Sequence, residues 1–396
     1  MRILIATGIF PPDIGGPATY SKLLAEELSK RGHTIMIVTY RDNVSRISYL
    51  VSNRESDIRN TKYEIRTISR NLPKGLRHLI YFWQVFKNGR SADAIYAQDA
   101  VSAGFPALLA AFLLRKRFFL KIVGDHAWEQ GMQRFDVTDM LDDFLGKRYG
   151  VRVGLLRLVQ KCTARCALRV IVPSEYLKSI VERWGIASHK IVVIPNAVSL
   201  PDHIPSKEEA RNELGLDHDA FIVLSTGRLV PWKGFQMFVD LMPRLQKSIL
   251  NVHLFIIGSG PDKMNLESRI MNYGLKNDII LIGSVSKEKL THYLAAADIF
   301  CLNTSYEGFS HQLIEAMAIG IPIITTNAGG NREIIRDGEN ALAARYNDTA
   351  DWEDAILRLY KDAELRTRLA KPQQEITKRY SVETMIKATE NVLRTP

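Results

Sequence analysis

The chain has 396 residues, which is room for two or three domains and for two separate cores. Hydrophobic residues make up 46%, charged residues 24% and aromatic residues 9%, a balance that excludes a chain disordered throughout. Three cysteines, Cys162, Cys166 and Cys301, cannot staple a protein of this size, so a reducing, cytoplasmic setting is expected.

Cys162 and Cys166 stand four apart on a predicted helix with no His or further Cys beside them, which argues against zinc. Met1-Arg2 runs straight into the strand-like Ile3-Leu4-Ile5-Ala6, so no signal peptide is expected. The longest uncharged run, Ala100 to Leu114, contains Gly104 and Pro106 and falls short of the about 20 apolar residues of a spanning helix. It reads as a buried helix, and the protein as not integral to a membrane. Charge is unevenly placed: residues 1–200 hold 30 Lys+Arg against 17 Asp+Glu, a net of +13, and the rest net −3. The first half is therefore expected to face something anionic, a phospholipid surface or a phosphate-bearing substrate. No nucleic-acid module is recognisable, so nucleic acid is not expected as a partner.

In chain order, strand candidates in the first half are Ile3–Ala6, Thr34–Thr39, Ala94–Ala97, Phe118–Val123, Val170–Val172 and Ile191–Ile194. Helical stretches such as Thr19–Lys30 and Glu175–Trp184 lie between them. The second half repeats the rhythm with Phe221–Leu224, Val252–Ile257, Ile279–Ile282, Ile299–Leu302 and Ile321–Thr325. Its helices are expected at Phe235–Gln246, Lys263–Tyr273, Lys287–Ala296, Gln312–Ala318 and Asn331–Arg336. Three prolines between Pro195 and Pro205 mark a linker. The expected architecture is α/β: two doubly wound domains over residues 1–195 and 207–380, a linker at 196–206, and a last helix in 381–396 that could pack on either domain. Such sheets bind ligands at the carboxyl ends of their strands, and a cleft between the domains is the expected place.

The loops after the strands carry the candidate chemistry. Gly15-Gly16 follows the first strand and opens a helix, which suits the close approach of an anion to backbone N–H groups. The dinucleotide fingerprint G-x-G-x-x-G is missing, and a plain turn is the competing reading. After the strand ending near Val123, Asp125 and His126 crowd a loop suited to a polar group acting on substrate, or to a structural pair. Arg228 and Lys233 flank a turn at Pro231, where a fork and a point charge could converge on a diphosphate or simply face solvent. Glu307 lies in a loop and Glu315 on the apolar helix that follows, where a carboxylate needs a partner, a ligand hydroxyl or a salt bridge. Between them Gly308, Phe309 and Ser310 present backbone N–H groups at a helix start.

Taken together these residues resemble the retaining glycosyltransferases of family 4, which have the GT-B fold. The likeness spans nearly the whole chain: Gly15-Gly16; Val172-Pro173-Ser174-Glu175; Ile194-Pro195-Asn196-Ala197; Gly227-Arg228-Leu229 with Trp232-Lys233-Gly234; Gly258-Ser259-Gly260-Pro261; Gly283-Ser284-Val285; and Glu307 with Glu315. The resemblance implies a UDP- or GDP-sugar donor held by the second domain, with Arg228 and Lys233 on the diphosphate and Glu315 on the ribose. It implies base contacts near Val285, donor-sugar contacts from Glu307 and the Gly308–Ser310 amides, and Gly15-Gly16 closing over the phosphates. It also implies a reaction without cofactor or metal, since side-chain cations and helix dipoles offset the leaving group's charge. The one Asp-x-Asp, Asp217-His218-Asp219, reads as a turn.

Where many members of the family carry His directly after the strand, this chain has Gly124-Asp125-His126, so either Asp125 or His126 takes that place near the acceptor. The mixture of rings and cations from Leu72 to Lys87 is that of an interfacial helix, or of one facing the core. The expected acceptor is a glycan or lipid-linked intermediate of envelope polysaccharide, with peripheral attachment to the inner face of a membrane. The alternatives are a nucleotide-sugar epimerase and a non-catalytic nucleotide-sugar-binding protein.

Overall fold

Runs such as Ile3-Leu4-Ile5-Ala6 are buried along their whole length, as a parallel sheet covered by helices on both faces requires. The computed structural model describes residues 1–13, 15–42, 63–198, 203–371 and 378–395. Residues 199–202 of the expected linker lie outside that set. The chain forms two units, Met1–Asn196 with Glu383–Pro396, and Ala197–Val382.

The first unit runs β1 (Arg2–Ala6), α1 (Gly16–Lys30), β2 (Thr34–Arg41), β3 (Tyr63–Ser69), α2 (Lys74–Gly89) and β4 (Ala94–Ala97). It continues with α3 (Gly104–Leu113), β5 (Arg117–Lys121), α4 (His126–Arg134), α5 (Leu141–Gly146) and α6 (Val151–Cys166). Then come β6 (Arg169–Val172), α7 (Glu175–Arg183) and β7 (Ile191–Val193). Its seven strands are parallel in the order β3-β2-β1-β4-β5-β6-β7. The order reverses between β1 and β4. Because parallel crossovers are right-handed, α1 covers one face, and α2, α3 and α6 cover the other.

The second unit runs α8 (Lys207–Leu214), β8 (Phe221–Thr226), α9 (Phe235–Leu245), β9 (Val252–Ile257), α10 (Lys263–Asn272) and β10 (Ile279–Gly283). Next are α11 (Lys287–Ala296), β11 (Ile299–Leu302), α12 (His311–Ile319) and β12 (Ile323–Thr325). The unit is completed by β13 (Leu342–Ala343), α13 (Thr349–Lys361) and α14 (Ala363–Leu369). These strands form a six-stranded parallel sheet in the order β10-β9-β8-β11-β12-β13, reversing between β8 and β11. Successive side chains of β8 feed two cores: Phe221 and Val223 join one with α9 and α13, Ile222 and Leu224 the other with α12.

The last helix, α15 (Val382–Leu393), buries Ile386 and Leu393. Its Glu390 accepts from Arg31 and bonds His33 Nε2 at 2.9 Å, so the chain's end is fastened to the first unit.

Three features depart from expectation. The stretch read as a buried helix is α3, with one face on the sheet and with Leu109, Phe112 and Leu113 exposed, because an outer-layer helix is covered on one side only. Asn331–Arg336 is not an α-helix: a 3₁₀ turn spans Gly329–Glu333, held by Asn331 Nδ2 donating to Thr326 O. The edge strands β3 and β13 had no clear apolar run, since an edge position leaves Glu64 and Arg66 room in solvent.

Candidate functional site

In the second unit the carboxyl ends of β8 and β11 lie side by side at the reversal of strand order, where a doubly wound sheet opens a crevice. The loop after β8 must turn at once. Gly227 has φ 145°, and an added Cβ at the neighbouring Gly258 would sit 1.8 Å from Gly227 O, so both positions require glycine. The chain then passes exposed Arg228 and reaches the 3₁₀ turn Pro231–Lys233.

That turn is fastened from β11. Ser305 N donates to Trp232 O at 2.9 Å, Thr304 Oγ1 donates to the same carbonyl at 3.2 Å, and Asn303 Nδ2 donates to Gly234 O at 3.0 Å. Asn303 is itself held by Asn347, whose N–H donates to its Oδ1. The result aims the buried Lys233 ammonium at the Glu307 carboxylate, with which it forms a salt bridge. Gly227 and Gln312 border the same space: a Cβ on Gly227 would stand 3.7 Å from Lys233 Nζ and 3.6 Å from Gln312 Nε2.

The loop carrying Glu307 is bedded on glycine too. A Cβ on Gly329 (φ 54°) would stand 2.2 Å from Glu307 O, and Gly330 N donates to that carbonyl at 2.7 Å. Gly308, Phe309 and Ser310 then lead into α12, whose start is capped by Ser310 Oγ accepting from Leu313 N. The Phe309 ring is buried edge-on against Tyr380. Glu315 stands one turn into α12; burial raises its carboxyl above the ordinary range, and Lys287 at the start of α11 opposes that shift. Val285, after β10, packs partly buried against the core.

In the first unit the loops after β1, β4 and β5 carry the polar groups. Gly15 (φ 155°) precedes α1, and around Gly16 nothing stands within 4 Å of an added Cβ. After β4, Asp99 Oδ1 accepts from Val101 N at 2.9 Å and from Ala103 N at 3.0 Å. After β5, Asp125 is fully buried and caps α4: Oδ1 accepts from Trp128 N and Gln160 Nε2, and Oδ2 from Trp184 Nε1. Both its oxygens thus accept from protein donors, two on Oδ1 and one on Oδ2. His126 follows as the first residue of α4. Burial lowers its pKa, and the carboxylates of Asp99 and Asp125 pull the other way. Asp217 lies in a turn, accepting from Asp219 N at 2.9 Å.

The structure thus brings Lys233, Glu307, Gly227 and Gln312 at the start of α12 together, while Arg228 follows β8, Glu315 lies further along α12 and Val285 follows β10. Sequence reasoning missed Asn303, Thr304, Gln312, Gly329-Gly330 and Asp99. The available signal was polar residues directly after buried strands, Asn303-Thr304 after β11 and Asp99 after β4. Among the described residues no group of three or more His, Cys, Asp or Glu is placed to hold a metal ion, and no helix is long and apolar enough to cross a membrane.

Two parallel-sheet Rossmann-like units define the class, that of GT-B glycosyltransferase structures. A solved structure of Anabaena Alr3699/HepE in complex with UDP-glucose matches 99% of this chain and 99% of its own, with a TM-score of 0.76 and 20% identity. The model of Glycosyltransferase Family 4 matches residues 14–201, and that of Glycosyl transferases group 1 matches residues 206–375. The chain therefore belongs to the family 4, group 1 glycosyltransferases. An uncharacterized glycosyltransferase of Methanocaldococcus jannaschii, MJ1607, is 24% identical over 100% of this chain and 98% of its own. The lipopolysaccharide core biosynthesis glycosyltransferase LpsE of Rhizobium meliloti is 32% identical over 42% of this chain, the match spanning about half (47%) of LpsE.

Proposed function

We propose that the protein moves a sugar from a nucleoside-diphosphate donor to an acceptor hydroxyl with retention of anomeric configuration. The observation that carries this reading is the Lys233–Glu307 pair at the reversal point of the second sheet, beside the start of α12. A buried ammonium is expensive without an anion next to it. A diphosphate arriving at Lys233 supplies that anion and frees the Glu307 carboxylate for hydroxyls of the donor sugar. Arg228 adds a fork to the phosphates, the N-terminus of α12 adds its dipole, and the half-buried Glu315 takes the ribose hydroxyls. Backbone groups near Val285 meet the base.

In this scheme the acceptor oxygen bonds the anomeric carbon on the face from which the diphosphate departs. The bond to the phosphate oxygen breaks, and that oxygen receives the acceptor's proton. The protein supplies position and charge stabilisation, and neither metal nor cofactor enters. The first unit takes the acceptor, with His126 in its neutral form beside it and Asp125 holding His126 in place; Gly15-Gly16 offer amides to an anion. Free cysteines, two exposed and one buried, support a reducing cytoplasmic setting. A lipid-linked or envelope glycan is the acceptor class favoured by the role of LpsE in lipopolysaccharide core biosynthesis.

Incubating the pure protein with labelled UDP- and GDP-sugars and a lipid extract tests this reading. Transfer of label to the lipid phase is expected. Isomerised donor would instead show an epimerase, and retention of donor without turnover a binding protein.

A further inference from the structure

We infer that the outer face of α2, α3 and α6 is a docking surface for an anionic lipid bilayer. Fifteen large hydrophobic side chains are conspicuously exposed among the described residues, and nine of them lie on these three helices. On α2 they are Leu76, Leu79 and Trp83; on α3, Leu109, Phe112 and Leu113; on α6, Val151, Leu155 and Leu158. Each set repeats at three- and four-residue intervals, so each forms one stripe along its helix.

The stripes share one surface. α2, α3 and α6 connect strands that step the same way across the sheet, which puts them in one layer; α2 packs beside α3, and α3 beside α6. On the opposite face α1 exposes no large hydrophobic residue. Leu79 at 68%, Phe112 at 78% and Val151 at 88% exposure are beyond what a water-facing helix needs.

Charge selects the occupant. The three helices together carry seven Lys and Arg and no Asp or Glu, in a chain with 43 acidic residues. Further cations flank them at Arg90, Arg115, Lys116, Lys147 and Arg148. Such a face, with an indole stacked on Phe86 at 5.8 Å between centroids, matches apolar insertion below a layer of lipid phosphates. Each cation near an anionic surface strengthens the attraction to its phosphates, and a protein partner would need an all-acidic complement to the same stripe. The inference is independent of the donor chemistry, since it uses no residue assigned to nucleotide or sugar.

Trp83 is the one exposed tryptophan of five, the others being buried, so it reports contact directly. The full chain is floated with phosphatidylglycerol–phosphatidylcholine vesicles and with pure phosphatidylcholine, and its fluorescence is titrated with brominated lipid. Flotation with the anionic vesicles at low salt, quenching that disappears in Trp83→Phe, and at least about a tenfold loss of binding in Leu79→Glu/Phe112→Glu/Leu155→Glu are expected. The control Leu250→Glu/Met264→Glu, at exposed positions of the second unit, binds as the wild type does. Failure to bind anionic vesicles, or equal binding by the triple variant, overturns the inference. So does concentration-dependent self-association abolished by the triple variant without vesicle binding, which would make this face a contact between two copies.

Discussion

Lys233 and Glu307, 74 positions apart, form a salt bridge where the strand order of the second sheet reverses. Both side chains are largely withdrawn from water, so each depends on the other in the ligand-free protein. Lys233→Met strands the carboxylate and costs about 3–5 kcal/mol, read as a lowered Tm. Lys233→Met/Glu307→Gln recovers most of that stability. Neither variant shows the rise in Tm that UDP or GDP gives the wild type. A double variant that keeps the nucleotide response contradicts the assignment.

Glu315 gives the opposite sign. Its pKa is raised by burial, so its ionised form opposes folding above the folded pKa, and the penalty vanishes below the unfolded value. Glu315→Gln therefore raises Tm at neutral pH, by roughly 2–4 °C for each kcal/mol relieved, and the gain fades as pH falls through the acid range. The same variant loses most of its nucleotide-induced shift. A Tm unchanged at pH 7, together with an unchanged nucleotide shift, would show that this carboxylate has another partner.

Lys121 at the end of β5 is fully buried over the Tyr20 ring at 3.7 Å, and desolvation brings its pKa down to about 7. Unfolding restores a proton between that value and the ordinary 10.5, so the wild type gains stability as pH rises from about 7 towards 10. Lys121→Met raises Tm at pH 7, and its advantage shrinks along that range. A constant difference from pH 7 to 10 would place the ammonium in water.

Glu390 on α15 accepts from His33, Arg394 and Arg31, in that order of effect, and its pKa falls to about 2. The stability this gives is present above the ordinary carboxylate range and is lost as pH falls towards 2. Glu390→Gln lowers Tm at pH 7, and wild type and variant converge on acidification. Limited proteolysis at neutral pH releases the C-terminal segment sooner from the variant. Equal cleavage rates would mean the helix is held by Ile386 and Leu393 alone.

Most strands, and the loops after them that hold the candidate residues, could be read from the sequence because buried parallel strands leave short, unbroken apolar runs, and a doubly wound sheet places its ligand loops just after them. The edges could not, since β3 carries Glu64 and Arg66 and β13 has two residues. The capping of α4 by Asp125 was also out of reach: it depends on Gln160 and Trp184, distant in sequence, which donate to its carboxylate. The same holds for Gly329-Gly330, whose part is visible only once the Glu307 loop is laid against it. The exposure of α3 was hidden because a helix of apolar residues reads alike whether its outer side is covered or exposed.

Calorimetric titration of the full chain with UDP and GDP in EDTA tests the central assignment most directly. Saturable binding of one of them is predicted, with the heat abolished in Lys233→Ala. Absence of binding by both nucleotides, or undiminished heat in that variant, would contradict it.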